Sequence, residues 1–196
     1  MEFKKNMRFV VTNKITNRDI INLFCDLYKD VNVVNVGDYT VIYYVDDFFE
    51  NIKDLVETIV IDFGEVINIH EAFSLNPNID LDFVNDYINL VIKYNLLKEP
   101  YTNMTDLMYY IGNDDVKGLI KRYQQEILMP IISKNGNRLI LQKYFDNNLN
   151  VLKTSKDLFI NRNSLLLRLE SLSKKIGYNV QDFKVASMIL FIMNMK

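Results

Sequence analysis

Residues 151–176 read VLKTSKDLFINRNSLLLRLESLSKKI, and the reading of this stretch decides the fold of the C-terminal part of the chain. Leu165, Leu169, Leu172 and Ile176 recur at i, i+4, i+7 and i+11, one stripe of a helix with 3.6 residues per turn, and the spacing predicts that this stripe is buried. The opposite side then presents Asn163, Leu167, Glu170 and Lys174, flanked by Ser164, Arg168 and Ser171. Gly177 stands where a helix end wants a residue able to take positive φ, and Lys174 and Lys175 suit the negative end of the helix dipole. Ahead of this helix, residues 152–159 predict a shorter one with its apolar side inward, and 160–162 a tight break. Two helices so joined, the second opening with polar and cationic residues, have the layout of a helix-turn-helix, which reads duplex DNA with the exposed N-terminal turns of its second helix.

Residues 141–193 also carry a family resemblance. Tyr144 and Asn150 are followed by Thr154-Ser155 with Leu158, then by Ile160-Asn161-Arg162-Asn163-Ser164-Leu165, Arg168-Leu169, Gly177 and Asp182-Phe183. This series resembles the C-terminal helix-turn-helix domain of the PucR/CdaR regulators, which control purine or sugar-diacid use. At four positions the residues differ from the family's usual ones: Ser155 for Ala, Asn161 for His, Ser164 for Thr and Leu167 for Tyr. The resemblance implies a bacterial transcription regulator that binds duplex DNA as a homodimer on paired half-sites. In such a protein Arg162, Arg168 and Lys174 would contact phosphates or bases, and Asn163 and Ser164 would hydrogen-bond near base edges. Lys153, Thr154 and Lys156 on the shorter helix would touch the backbone, with Asn161 and Leu167 completing the DNA face.

Charge points the same way by a separate route. Residues 1–130 hold 12 Lys and Arg against 21 Asp and Glu, whereas residues 131–196 hold 11 against 4. The overall charge of −2 therefore conceals an acidic body at −9 and a basic C-terminal part at +7, the footprint expected of a phosphate-binding module. A chain of 196 residues, 49% hydrophobic, can bury one or two cores. It has no apolar run long enough for a membrane span, and its start, MEFKKNMRFVV, lacks the pattern of a cleaved leader. The single Cys25 excludes an internal disulfide and reads as a small core residue. A soluble cytoplasmic protein is the expectation.

The N-terminal part reads as mixed α/β. Residues 7–11 are strand-like, and 16–28 helical, with Thr16 as N-cap and Ile20, Leu23, Phe24 and Leu27 on one side. Residues 31–36 and 39–45 are β-rich runs around Gly37-Asp38, a hairpin signal. Asp47-Phe48-Phe49-Glu50 has capping-box spacing and opens a helix to about residue 63, and 66–69 supplies another strand. The order βαββαβ predicts a small sheet with helices on one face, as in ferredoxin-like domains, within an α+β fold. In longer PucR/CdaR-like proteins a degenerate GGDEF-like domain often precedes the helix-turn-helix. The segment Val36-Gly37-Asp38-Tyr39-Thr40 is similar to that motif only at Gly37 and Asp38, and Tyr39 stands where an acid would be needed to hold a metal on phosphate. A turn is the reading these residues favour.

Further on, 79–97 predicts a helix with Phe83, Tyr87, Leu90, Val91 and Tyr94 on one face, ended by Pro100. Helices over 104–111 and 116–128 follow, capped between them by Asn113-Asp114-Asp115, with Pro130 as a break. The expected division is a small α/β domain at 1–76, a helical connector or dimerisation section at 77–132, and the helix-turn-helix domain at 133–196. No catalytic constellation stands out. His70 is the single histidine and reads as a structural residue at a strand end, and the six glycines form no phosphate loop. No enzyme activity, cofactor or metal is therefore expected, and an effector, small molecule or protein, is left open. The competing reading is a protein-interaction or assembly module whose helix-turn-helix no longer reads DNA. Leu167, apolar, and Glu170, repelled by phosphate, favour it. A degenerate nucleotide sensor has only Gly37-Asp38 behind it.

Overall fold

Alternation along MRFVVTN sends Phe9 and Val11 to one side and Arg8, Val10 and Thr12 to the other, yet residues 7–12 are all buried. A strand buried on both faces belongs inside a covered sheet. A computed structural model describes residues 3–4, 6–46, 52–77 and 79–195, and divides the chain into two compact units, Met1–Gly112 and Asn113–Lys196. In the first unit the strand Met7–Asn13 (β1) is followed by α1 (Arg18–Leu27), β2 (Lys29–Val36), β3 (Tyr39–Val45), α2 (Ile52–Phe63) and β4 (Ile69–Glu71). This is the expected βαββαβ order. The sheet runs β2-β3-β1-β4-β5, antiparallel except that β5 (Tyr101–Asn103), which was not foreseen, lies parallel to β4. Gly37 at φ 60 leads the two-residue turn between β2 and β3, as a hairpin with glycine first requires.

Both faces of this sheet are covered. Val10, Ile42, Tyr44 and Ile69 pack with Ile20 and Phe24 of α1 and Ile52, Val56 and Ile59 of α2. On the other face, α3 (Leu81–Lys93) brings Phe83 and Tyr87 onto Phe9 and Phe73, with ring centroids 5.0–5.8 Å apart in the edge-to-face pairs of Phe9, Phe73 and Tyr87. The two helices of the βαββαβ unit thus share one face, as expected, and the other face is covered by α3, from the section expected to be a connector. Period-2 alternation in β1 does not separate the faces by polarity, because Phe9 and Val10 are both core residues.

The first face ends in a buried ionic cluster. Arg8, 2% exposed, donates to Asp46 at 2.8 Å and to Glu71, and the Tyr101 hydroxyl donates to the other oxygen of Glu71. Across the sheet, His70 is buried, with Nδ1 2.9 Å from Thr102 Oγ1 and Nε2 2.8 Å from Tyr87 Oη. Because the Thr102 hydroxyl donates to the Leu96 carbonyl at 2.7 Å, its oxygen accepts from His70 Nδ1–H, which leaves Nε2 to accept from Tyr87. Burial lowers the His70 pKa to about 3, so the ring is neutral. It is structural, as expected, but set within β4.

Boundaries moved for local reasons. Asn17, not Thr16, caps α1 by accepting from the Asp19 N–H at 2.9 Å, and Cys25 falls on the exposed side of that helix. The capping box expected at 47–50 lies outside the described residues. Asp80 caps α3, which gives way after Lys93 to a 3-10 turn at Leu96–Lys98. The helix α4 (Met104–Leu107) carries an Asn103/Asp106 capping box and tightens into a 3-10 turn at Met108–Tyr110.

The second unit is helical. Its first helix, α5 (Asp114–Tyr123), runs through a π turn at Gln124–Leu128 into α6 (Met129–Ile132). Pro130 does not break the path, since it sits in the first turn of α6 immediately after the widened π segment, where a missing N–H is tolerated. Gly136 at φ 71 then starts α7 (Asn137–Asp146), followed by α8 (Val151–Asp157), α9 (Arg162–Ile176) and α10 (Phe183–Asn194). The buried Gln124 side chain donates to the carbonyls of Ile192 and Met195, at 2.5 and 2.9 Å, and so holds the end of α10. The section expected at 77–132 is thus shared between units: α3 and α4 lie in the first, α5 and α6 in the second. Among the described residues no helix is long and apolar enough to cross a membrane.

Candidate nucleic-acid interface

The predicted stripe Leu165, Leu169, Leu172 and Ile176 is buried, and Ser173 joins it. Ser173 is satisfied there, donating to the Leu169 carbonyl at 3.0 Å and accepting from the Val180 N–H at 3.1 Å. Gly177, at φ 91, ends α9 as the sequence requires. At the other end Asn161 is the N-cap, its side-chain oxygen accepting from the Asn163 N–H at 2.8 Å. This fixes the first turn of α9, with Arg162, Asn163 and Ser164 all exposed.

The turn between α8 and α9 is a Schellman motif. The Ile160 N–H reaches the Ser155 carbonyl at 3.0 Å and the Phe159 N–H the Lys156 carbonyl at 3.1 Å. Phe159 occupies the left-handed position, φ 52, where glycine or asparagine is usual, and its side chain is 96% exposed. The expectation that residues 152–159 turn their apolar side inward is corrected here, for Leu152 is exposed as well. What α8 buries is small and polar: Thr154 and Ser155. Small side chains let neighbouring helices approach closely, and the hydroxyls find partners. Ser155 donates to the Leu152 carbonyl at 3.0 Å, and the buried Asn147 amide reaches Thr154 Oγ1 at 3.3 Å and Asp157 Oδ2 at 2.9 Å.

Most of the residues expected to face DNA are exposed. Lys153 and Lys156 of α8 are exposed, as are Asn161, Arg162, Asn163, Ser164, Leu167 and Arg168. Thr154 is the correction: it is 0% exposed and held by Asn147, so it supports α8 from inside and touches no phosphate. Arg168 is exposed, and the Asp157 carboxylate on α8 accepts from the Asn147 amide. Lys174 is half-buried and pairs with Glu170 at 3.3 Å, so the acid that would repel phosphate carries its own cation one turn away. Lys175, exposed in the same turn, is a further cation at this end of α9.

The comparisons with known proteins fall on the same segment. Residues 139–193 match the model of the PucR C-terminal helix-turn-helix domain. No curated protein matches the chain. Among solved structures, the chain is similar to the crystal structure of a regulator of polyketide synthase expression from Bifidobacterium adolescentis, with 14% identity over 97% of this chain and 81% of that one, at a TM-score of 0.44. The buried stripe of α9, its asparagine cap and the tight turn from α8 all lie within the matched residues, so 139–193 form a C-terminal helix-turn-helix domain of the PucR type.

Proposed function

We propose that the chain is a bacterial transcription regulator that binds duplex DNA through α8 and α9, as a homodimer whose two copies engage half-sites about one helical turn, ~34 Å, apart. The observation that carries this reading is the coincidence of the exposed face Arg162, Asn163, Ser164 and Arg168 with a part of the chain whose net charge is +7. Arg162, in the first turn, serves base edges or phosphate. Asn163 and Ser164 supply hydrogen bonds to base edges, and Lys153, Lys156 and Arg168 supply phosphate contacts. Lys174 contributes through its pairing with Glu170 more than as a free cation.

A second reading, a protein-interaction module, draws support from exposed Phe159 and Phe183. Binding of the full chain to mixed-sequence duplex fragments over a range of salt separates the two. The DNA reading expects affinity to fall with a log–log slope near −0.9 per phosphate neutralised. Arg162→Ala and Arg168→Ala should both weaken binding with unchanged melting temperature, since both side chains stand in solvent. No binding at low salt leaves the interaction module.

A further inference from the structure

Leu167 lies within about 10° of the direction opposite the buried stripe of α9, at 100° per residue. It is 65% exposed. One turn before it stand Asn163 and Ser164, and one turn after it Ser171, all short polar side chains. The longer neighbour on that side, Glu170, is drawn toward Lys174 by their ion pair. Leu167 is therefore an apolar knob rising from the middle of a low polar surface, with Arg168 beside it.

Resting on the DNA-binding reading above, we propose that Leu167 reads the C5-methyl group of a thymine, so that each half-site carries an A·T pair beneath the centre of α9. The major-groove edge of duplex DNA presents donors and acceptors at every base pair and one apolar group, the thymine methyl. An apolar side chain at the centre of the reading helix gains by covering that methyl. Opposite a guanine or cytosine it would cover polar atoms without returning a hydrogen bond, which is unfavourable. Asn163, one turn earlier on the same face, has the amide that pairs with adenine N6 and N7, so the two residues together favour neighbouring A·T pairs.

The test uses the full chain and the deletion of single methyl groups from DNA. Preferred duplexes are first selected from a randomised pool, and deoxyuridine then replaces thymidine one position at a time in the selected sequence. Wild type should lose about fourfold in affinity at one position per half-site, the worth of one buried methyl. Leu167→Ala, an exposed substitution that leaves the fold intact, should bind more weakly and be indifferent to uridine at that same position. Equal binding of thymidine and deoxyuridine duplexes at every position overturns the proposal, and so does a uridine effect that survives unchanged in Leu167→Ala. Failure to select any duplex at low salt is a different result: it removes the DNA-binding reading itself and this inference with it.

Discussion

The two units of this chain solve the problem of a stable interior in opposite ways. Met1–Gly112 is acidic and buries charge: Arg8, Asp46 and Glu71 lie inside it, with a neutral histidine on the other side of the sheet. Asn113–Lys196 is basic and, among the described residues, keeps its charges outside, closing mainly around leucine, isoleucine and methionine with a few aromatic rings, small hydroxyls and three amides, Gln124, Asn137 and Asn147, within. The difference teaches where each unit is vulnerable. Ionic interiors fail when one partner is removed, because the remaining charge is left buried. Aliphatic interiors fail by cavity.

Three measurements would break or sharpen that contrast. The largest effect is expected for Arg8→Met, which leaves Asp46 and Glu71 buried without their cation and should destabilise the first unit by about 3–5 kcal/mol in denaturant unfolding. A loss below about 1 kcal/mol would show that the cluster is solvated and that the contrast between interiors is false. Next is Leu169→Ala, at a fully buried position of α9, expected to lower the stability of the second unit by about 2–5 kcal/mol. Its circular dichroism melt should resolve a shifted transition while the ionic unit melts unchanged.

The smallest effect is acid sensitivity. His70 is held neutral with its pKa lowered to about 3, whereas in the unfolded chain it binds a proton near 6.5. The unfolded state therefore holds more protons below pH 6.5, and stability falls with pH in the window from about 6.5 down to 3. Between pH 7.5 and 5, above the range of ordinary carboxylates, the first unit should lose about 2 kcal/mol. His70→Gln should flatten that slope, and an unchanged slope would assign it elsewhere.

Much of this was legible in the sequence because it depended on local rules. The stripe of α9, its glycine end and the hairpin at Gly37-Asp38 are set by residues within a turn or two of each other. What was not legible came from partners distant in sequence. Thr154 looks like a surface hydroxyl until Asn147 holds it inside, and α3 closes the second face of the sheet through Phe83 and Tyr87, some seventy residues after β1. The passage of helix through Pro130 needed the preceding π turn, for which sequence carries no simple signal. The exposed side of α9 was read nearly whole since exposure on a helix follows from its buried stripe. Phe159 escaped because the rule that aromatic residues go inside does not hold at a left-handed turn position held by backbone hydrogen bonds.

The ionic cluster around Arg8 has a consequence for how the chain finds its fold. Arg8 and Phe9 are neighbours on β1 that point to opposite faces, one to two carboxylates and the other to a cage of rings. If β1 slipped by one residue against β3 and β4 during assembly, every side chain would change face. Phe9 would then meet Asp46 and Glu71, and Arg8 would be driven among Phe73 and Tyr87. An all-aliphatic strand would tolerate such a slip at small loss, but this one cannot. The buried charges thus act as a proofreading device for the central strand, making a misaligned sheet too unstable to persist while the correct one forms.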